Sequence, residues 1–168
     1  MRKAGVNILL AVMLIAIIGC ESNDFMVELS INPDGTITHM SAHGIGQMWL
    51  RDAGTPTVDV CTGGKKDFQQ AVEYVDCLNN VKYLGYTDWK LPDPSDFKRL
   101  TDLKAGYALS VGELFKRAGF KKIPLDSNDF YWSLDLGKQA YVIKTLDGAL
   151  KEATLTEQHY VLPVRYIK

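Results

Sequence analysis

The longest hydrophobic run in the chain, from Ala4 to Ile18, follows the basic pair Arg2-Lys3 and ends at Gly19-Cys20. It is too short for an ordinary membrane-spanning helix, which needs roughly 20 apolar residues. A positive start, an apolar middle and a small residue at the end form the layout of a secretory signal peptide. Beyond it the pattern changes to alternation. Residues 25–31 alternate well enough for a first strand, Asn32-Pro33-Asp34-Gly35 has the chemistry of a turn, and Thr36-Ile37-Thr38 reads as the returning strand of a hairpin.

The next period is helical. Phe68, Ala71, Val72, Val75 and Leu78 recur at spacings of three and four, which predicts a helix over 67–79 with Asp67 as its N-cap. Cys77 falls on the flank of that stripe. Asp93-Pro94-Ser95-Asp96 opens a second helix, with an Asp cap, a Pro at the first helical position and an acid at the third. Phe97, Leu100 and Leu103 form its apolar face. A third helix is predicted over 111–118, with Leu114 and Phe115 inward and Gly119 as its stop. Strands follow at 130–134, 139–145 and 160–167, with a turn at Asp147-Gly148. Helices followed by strands predict an α+β domain, two to three helices packed on small antiparallel sheets.

Ile17-Ile18-Gly19-Cys20 resembles the bacterial lipobox, in which the Cys becomes the first mature residue and carries lipid on its sulfur and amino group. Several acyl chains hold a protein on a membrane durably where one would not. The competing reading is an uncleaved N-terminal anchor. The chain therefore divides into a signal peptide (1–19), a lipidated Cys20 with a short tether and the start of the first strand (20–32), and a domain (33–168). Stretched, the polar tether at 20–26 reaches ~20–25 Å, at about 3.3–3.6 Å per residue. Cleavage leaves 149 of 168 residues, enough for one domain. It also removes Arg2 and Lys3, so that 17 basic residues face 20 acidic ones, a net charge of −3. That balance excludes a general nucleic-acid binder. Assigning Cys20 to lipid leaves the even pair Cys61 and Cys77, which outside the cytoplasm forms a disulfide or else stays as two buried thiols. The expected location is the bacterial cell envelope, and Glu21 rather than Asp after Cys20 points toward the outer membrane or cell surface.

Gly85-Tyr86-Thr87-Asp88-Trp89-Lys90-Leu91-Pro92 resembles the G-Y-x-D-W-[RK]-L-P core of the Lcl C-terminal domain family, named after a bacterial collagen-like adhesin. Three further pieces fall in the family's order. These are Asp34-Gly35-Thr36-Ile37 with Gly46-Gln47-Met48-Trp49-Leu50-Arg51-Asp52, then Phe130-Tyr131-Trp132-Ser133, then Asp147-Gly148 with Tyr160-Val161-Leu162-Pro163-Val164-Arg165. The resemblance covers roughly residues 34–166. It implies a C-type-lectin-like fold, in the branch that also contains formylglycine-generating enzymes. Val75 and Pro163 stand where many relatives carry cysteines, so the resemblance implies that Cys61–Cys77 replaces their bridge. The named adhesin's collagen-like repeat is missing, which weakens any transfer of its trimeric, host-binding behaviour.

Trp49, Trp89 and Trp132 are expected mainly to pin loops to the core, with stacking on a sugar face as the functional alternative. Asp88 is expected to bond its own turn. Arg51 and Arg165 are candidate ion-pair partners for Asp88 or Asp52, within a motif set that also includes Gly85, Tyr86, Leu91, Pro92 and Ser133. His39 and His43 lack the helical H-E-x-x-H context of a zinc site, and only His159 stands besides. Catalytic signatures such as G-x-S-x-G are missing, and no cofactor is implied. Asp126, Asn128 and Asp129 form an oxygen-rich loop that either holds Ca²⁺ or is simply a turn. Three basic pairs, Lys65-Lys66, Lys116-Arg117 and Lys121-Lys122, are candidate ligand contacts or plain solvated surface. Two functional readings follow. One is a non-enzymatic binding module, held on the envelope by lipid, for a polysaccharide or an envelope protein. The other is an assembly subunit of a surface complex that docks through Tyr83, Tyr86 and Tyr107. An enzyme ranks third.

Overall fold

The structure is a computed structural model that describes residues 28–40, 44–101, 111–134 and 140–167. Cys20, His43, Leu103 and Tyr107 lie outside the described residues, as do the signal peptide and tether. Among the described residues, no helix is long and apolar enough to cross a membrane.

The element order is β1 (Glu28–Ile31), β2 (Thr36–Met40), β3 (Gly46–Leu50), α1 (Phe68–Asn80), α2 (Pro94–Thr101), α3 (Val111–Arg117), β4 (Phe130–Leu134), β5 (Ala140–Lys144), β6 (Leu150–Glu152) and β7 (Val164–Ile167). A four-stranded antiparallel sheet has the order β1-β2-β3-β7, and a three-stranded one has the order β4-β5-β6. The domain is α+β.

The first hairpin turns where the sequence predicts it. Asp34 Oδ1 accepts from both the amide and the hydroxyl of Thr36, and Gly35 takes φ +87°, a left-handed value that glycine adopts without strain. β3 has no period-two pattern because all five of its residues are buried, and the predicted elements do not include it. A strand covered on both faces carries no alternation to read. β6 is missed for the opposite reason: its three residues are all exposed. The strand expected over 160–167 is shorter. Tyr160 makes only an isolated parallel bridge to Tyr131, and regular pairing begins at Val164, after Pro163, which has no amide to give a ladder.

α1 begins with a full capping box. The Asp67 carboxylate accepts from the Gln70 amide, and the Gln70 side chain accepts from the Asp67 amide. α2 starts in the same reciprocal way: Asp93 Oδ1 accepts from the Asp96 amide, and Asp96 Oδ2 from the Asp93 amide.

An aromatic column joins the two sheets. Trp49 on β3 lies 5.4 Å from Phe97 on α2, Phe97 stacks on Tyr131 of β4 at 6.2 Å, and Phe115 of α3 lies 6.1 Å from Tyr131 and 4.8 Å from Phe120. The next residue on β4, Trp132, points to the other face and meets Phe68 of α1 at 5.3 Å. Each of these rings removes a large apolar area from water, which is the main reason the two sheets hold together.

Candidate functional site

The G-Y-x-D-W-K-L-P segment is a strut between the two sheets. Lys90 exchanges both backbone hydrogen bonds with Val164 of β7, at 2.9 and 3.1 Å. Pro92 O accepts from the Leu134 amide and the Ser133 hydroxyl on β4. Leu91 and Pro92 are buried between. Gly85, at φ +82°, makes the sharp turn that the segment needs. Asn79, at the end of α1, clamps the backbone of Trp89 with its side-chain amide, donating to the carbonyl at 2.9 Å and accepting from the N–H at 2.8 Å. Nothing in the residue pattern singles out Asn79.

Arg165 on β7 grips Asp88 with two hydrogen bonds, at 2.6 and 3.1 Å, and lies 4.0 Å from the centre of the Tyr86 ring. Asp88 is thus held from another strand. Arg51 goes elsewhere: its Nε donates to Gly119 O at 2.9 Å, while Asp52 takes Lys122 at 2.6 Å. All three tryptophans are buried. Trp132 Nε1 donates to Lys66 O at 2.7 Å and Trp89 Nε1 to Tyr83 O at 3.3 Å, whereas Trp49 Nε1 has no partner among the described residues. With their faces covered by protein, none offers a platform for a sugar. Tyr83 and Tyr86 are half-buried against Trp89.

The basic pairs do not form one patch of equivalent charges. Lys116, Arg117, Lys121 and Lys122 are exposed around the end of α3, and Lys122 is paired with Asp52. Lys65 bridges Asp129 at 2.9 Å, a hydrogen bond that raises its pKa. The oxygen-rich loop is engaged internally. Asp129 Oδ1 faces Lys65, Asp129 Oδ2 accepts from the Asp126 amide, and Asp126 Oδ1 accepts from the Asn128 amide. Among the described residues, no three His, Cys, Asp or Glu side chains gather as a metal site would require.

Lys66 is different. Its backbone is fixed from both sides by His159, N–H to O at 2.9 Å in each direction, and Trp132 bonds its carbonyl as well. Its side chain lines a groove of about 460 Å³ between the loop Val60–Gly63 and one face of α1 (Gln70, Glu73, Tyr74, Cys77), with Lys65 at its side. The Cys61–Cys77 disulfide, Cα atoms 5.7 Å apart, ties the loop to the helix. The loop is also packed tightly at Gly63. A Cβ there would meet Thr55 O and come 2.5 Å from Thr57 N. Tyr74 closes the floor, its hydroxyl donating to Pro56 O at 2.7 Å, and burial pushes that phenol far above its ordinary value. The Lys66 residue is only 8 % exposed, and among the described residues its ammonium has one hydrogen bond, to Gly63 O at 3.4 Å, with the Tyr74 ring centre 5.3 Å away. Burial lowers its pKa, and the neighbouring Asp67 charge offsets only part of that.

The family model for the Lcl C-terminal domain matches residues 38–165 of the chain, the span that contains the strut, the tryptophans and the groove. Comparison with curated proteins returns no match.

Proposed function

Because the chain belongs to the Lcl C-terminal domain family, we propose that it is a bacterial envelope lipoprotein, anchored through Cys20, whose domain is a non-enzymatic binding module for a polysaccharide or an envelope protein. The observation that carries this reading is the groove beside α1. Its walls are fixed before any ligand arrives, by the disulfide, the capping box and the double bridge to His159. A rigid recess binds with little ordering cost. Its polar side chains are the ammoniums of Lys65 and Lys66, the Gln70 amide, the Glu73 carboxylate and the hydroxyls of Thr62 and Tyr74, which are groups that hold polar ligands. The lectin-like architecture implied by the family resemblance and an outer-membrane or surface location are parts of the same reading.

Two experiments test it. Cys20→Ser abolishes palmitate labelling and releases the protein from the membrane fraction; an unlabelled wild-type chain overturns the anchoring. Immobilised envelope polysaccharide and envelope protein fractions retain the wild-type chain saturably, and Thr62→Trp, which fills the groove from an exposed position, abolishes retention. Retention by neither fraction, or equal retention of Thr62→Trp, overturns the binding reading.

One observation favours the alternative of an assembly subunit. β6 is an edge strand, and Leu150 on it and Leu155 just after it are 48 % and 59 % exposed. An open edge with exposed leucines is a surface that another chain can extend. Stoichiometric co-purification of a partner, lost on Leu150→Lys, is the result that this alternative requires.

A further inference from the structure

Lys66 stands apart from the other lysines near the groove and core. Lys65, Lys90 and Lys122 each meet a carboxylate, at 2.9, 2.7 and 2.6 Å. Lys66, the most buried of them, meets none within ion-pair distance among the described residues, and a single long hydrogen bond to a carbonyl holds its ammonium. A cation withdrawn from water with no carboxylate in contact is only partly compensated by the nearby Asp67 charge, and an anion entering the groove completes the arrangement.

The same groove holds the opposite charge farther along α1. Glu73 is exposed, and among the described residues its carboxylate accepts only from Gln69 Nε2, at 2.9 Å, and meets no cation within ion-pair distance. Gln70 lines the groove as well. Its Oε1 is engaged by the Asp67 amide, which leaves its Nε2 as an available donor. Gln70 and Glu73 are three residues apart, so their side chains leave the helix as neighbours, about 5–6 Å apart at Cβ. The groove lining therefore offers an ammonium, an amide N–H donor and a carboxylate together. A polyanion matches Lys66 and the Asp129-paired Lys65 alone and is repelled by Glu73.

We propose that the groove binds a short free peptide, its terminal carboxylate on Lys66, a peptide carbonyl on Gln70 Nε2 and its amino group on Glu73. The assignment rests on the binding-module reading above and names the ligand chemistry of that groove. Both ends of the ligand are charge-matched, and the disulfide-tied wall at Cys61–Gly63 limits the space to a few residues.

The test is an NMR titration of the full chain in detergent, following the backbone amides of Thr62, Gly63, Gln70 and Glu73. Dialanine and trialanine shift these amides saturably. The carboxyl-amidated peptides bind about tenfold or more weakly, because a charge-assisted hydrogen bond is lost, and the N-acetylated peptides lose a similar factor. Lys66→Met, which keeps the stem, no longer distinguishes acid from amide; Glu73→Gln, at an exposed position that carries no fold risk, no longer distinguishes amine from acetyl. Equal binding of the amide or acetyl forms to the wild-type chain overturns the assignment. If maltotriose or trigalacturonate moves the groove amides and the peptides do not, the peptide assignment falls while the binding module stands. If no probe moves them and no envelope fraction is retained, both fall.

Discussion

His39 Nδ1 donates to Gln47 Oε1 across the β2–β3 ladder, at 3.3 Å, because the other end of the Gln47 amide is already committed. Gln47 Nε2 donates to Asp96 Oδ1 at 2.7 Å, so Oε1 has to be the acceptor, which sets the histidine tautomer. His39 Nε2 is then a bare lone pair, buried and without a partner among the described residues.

Protonating that nitrogen creates a buried donor with nothing to donate to, and burial accordingly pushes His39 below its ordinary value of 6.5. The unfolded chain takes up a proton that the folded chain refuses. Stability therefore falls as pH drops below about 6.5 and levels off once the folded imidazole is itself protonated. An NMR titration of the His39 ring is expected to give a midpoint below 6.5, and a midpoint at or above it contradicts the tautomer argument. His39→Gln is expected to flatten part of the fall in Tm between pH 7 and 5. His159, whose pKa is lowered by burial more than Glu157 raises it, supplies the remainder.

Asp96 is the deeper anchor of the same network. Its buried carboxylate accepts from Gln47, Lys90, Arg99, the Tyr166 hydroxyl and the Asp93 amide. Asp96→Ala removes the acceptor of all five donors and is expected to cost about 3–5 kcal/mol, toward the lower end because Lys90 and Arg99 keep some access to water and Lys90 keeps Asp93 and the Tyr166 hydroxyl. Urea unfolding measures this; a loss below about 1 kcal/mol would mean that the network is not coupled to the fold.

The Cys61–Cys77 bridge spans 16 residues, and closing a loop of that size is worth about 3 kcal/mol in the chain-entropy model. Cys61→Ala/Cys77→Ala is expected to lower Tm by roughly 6–12 °C for a domain of this size. An unchanged Tm on full reduction would show that the loop is held by its other bonds alone.

Two adjacent glycines separate close packing from backbone conformation. Gly63 has ordinary φ, but its added Cβ runs into the backbone of Thr55, Pro56 and Thr57, which cannot give way as a side-chain tip can. Gly64 has φ +90° and open space around it. Gly63→Ala is expected to cost about 1–3 kcal/mol through overpacking and to weaken ligand retention. Gly64→Ala is expected to cost about 1–2 kcal/mol through backbone strain alone and to leave the groove intact. Calorimetry with a retention assay distinguishes the two, and equal retention by both variants would remove Gly63 from the groove's support.

Much of the local structure is legible in the residues because its causes are local. The capping boxes at Asp67–Gln70 and Asp93–Asp96, the Asp34-Gly35 turn and the stripe Ala71, Val75 and Leu78 each depend on neighbours within one or two turns. The strands β3 and β6 were not legible. A strand buried on both faces and one exposed on both have no alternation, and only their partners define them. The candidate site was half legible. Lys65 and Lys66 stand out as a basic pair, but Asp129 bridges one of them and the other turns into the groove, a difference set by residues more than 60 positions away in one case and by the fold's own cavity in the other.

The sequence by itself determined the α+β class, the helices, the caps at Asp67 and Asp93, and the family to which the motifs belong, while it left Cys61 and Cys77 open between a disulfide and two thiols. Those features follow from short-range periodicity, capping chemistry and residue identity. Only the tertiary structure decided that Arg165 rather than Arg51 holds Asp88, that the tryptophans are covered rather than offered to a ligand, and that Lys66 is buried in the groove with no carboxylate in contact among the described residues. Each of these depends on which long side chain reaches which partner across the packed sheets, and local spacing carries no information about that.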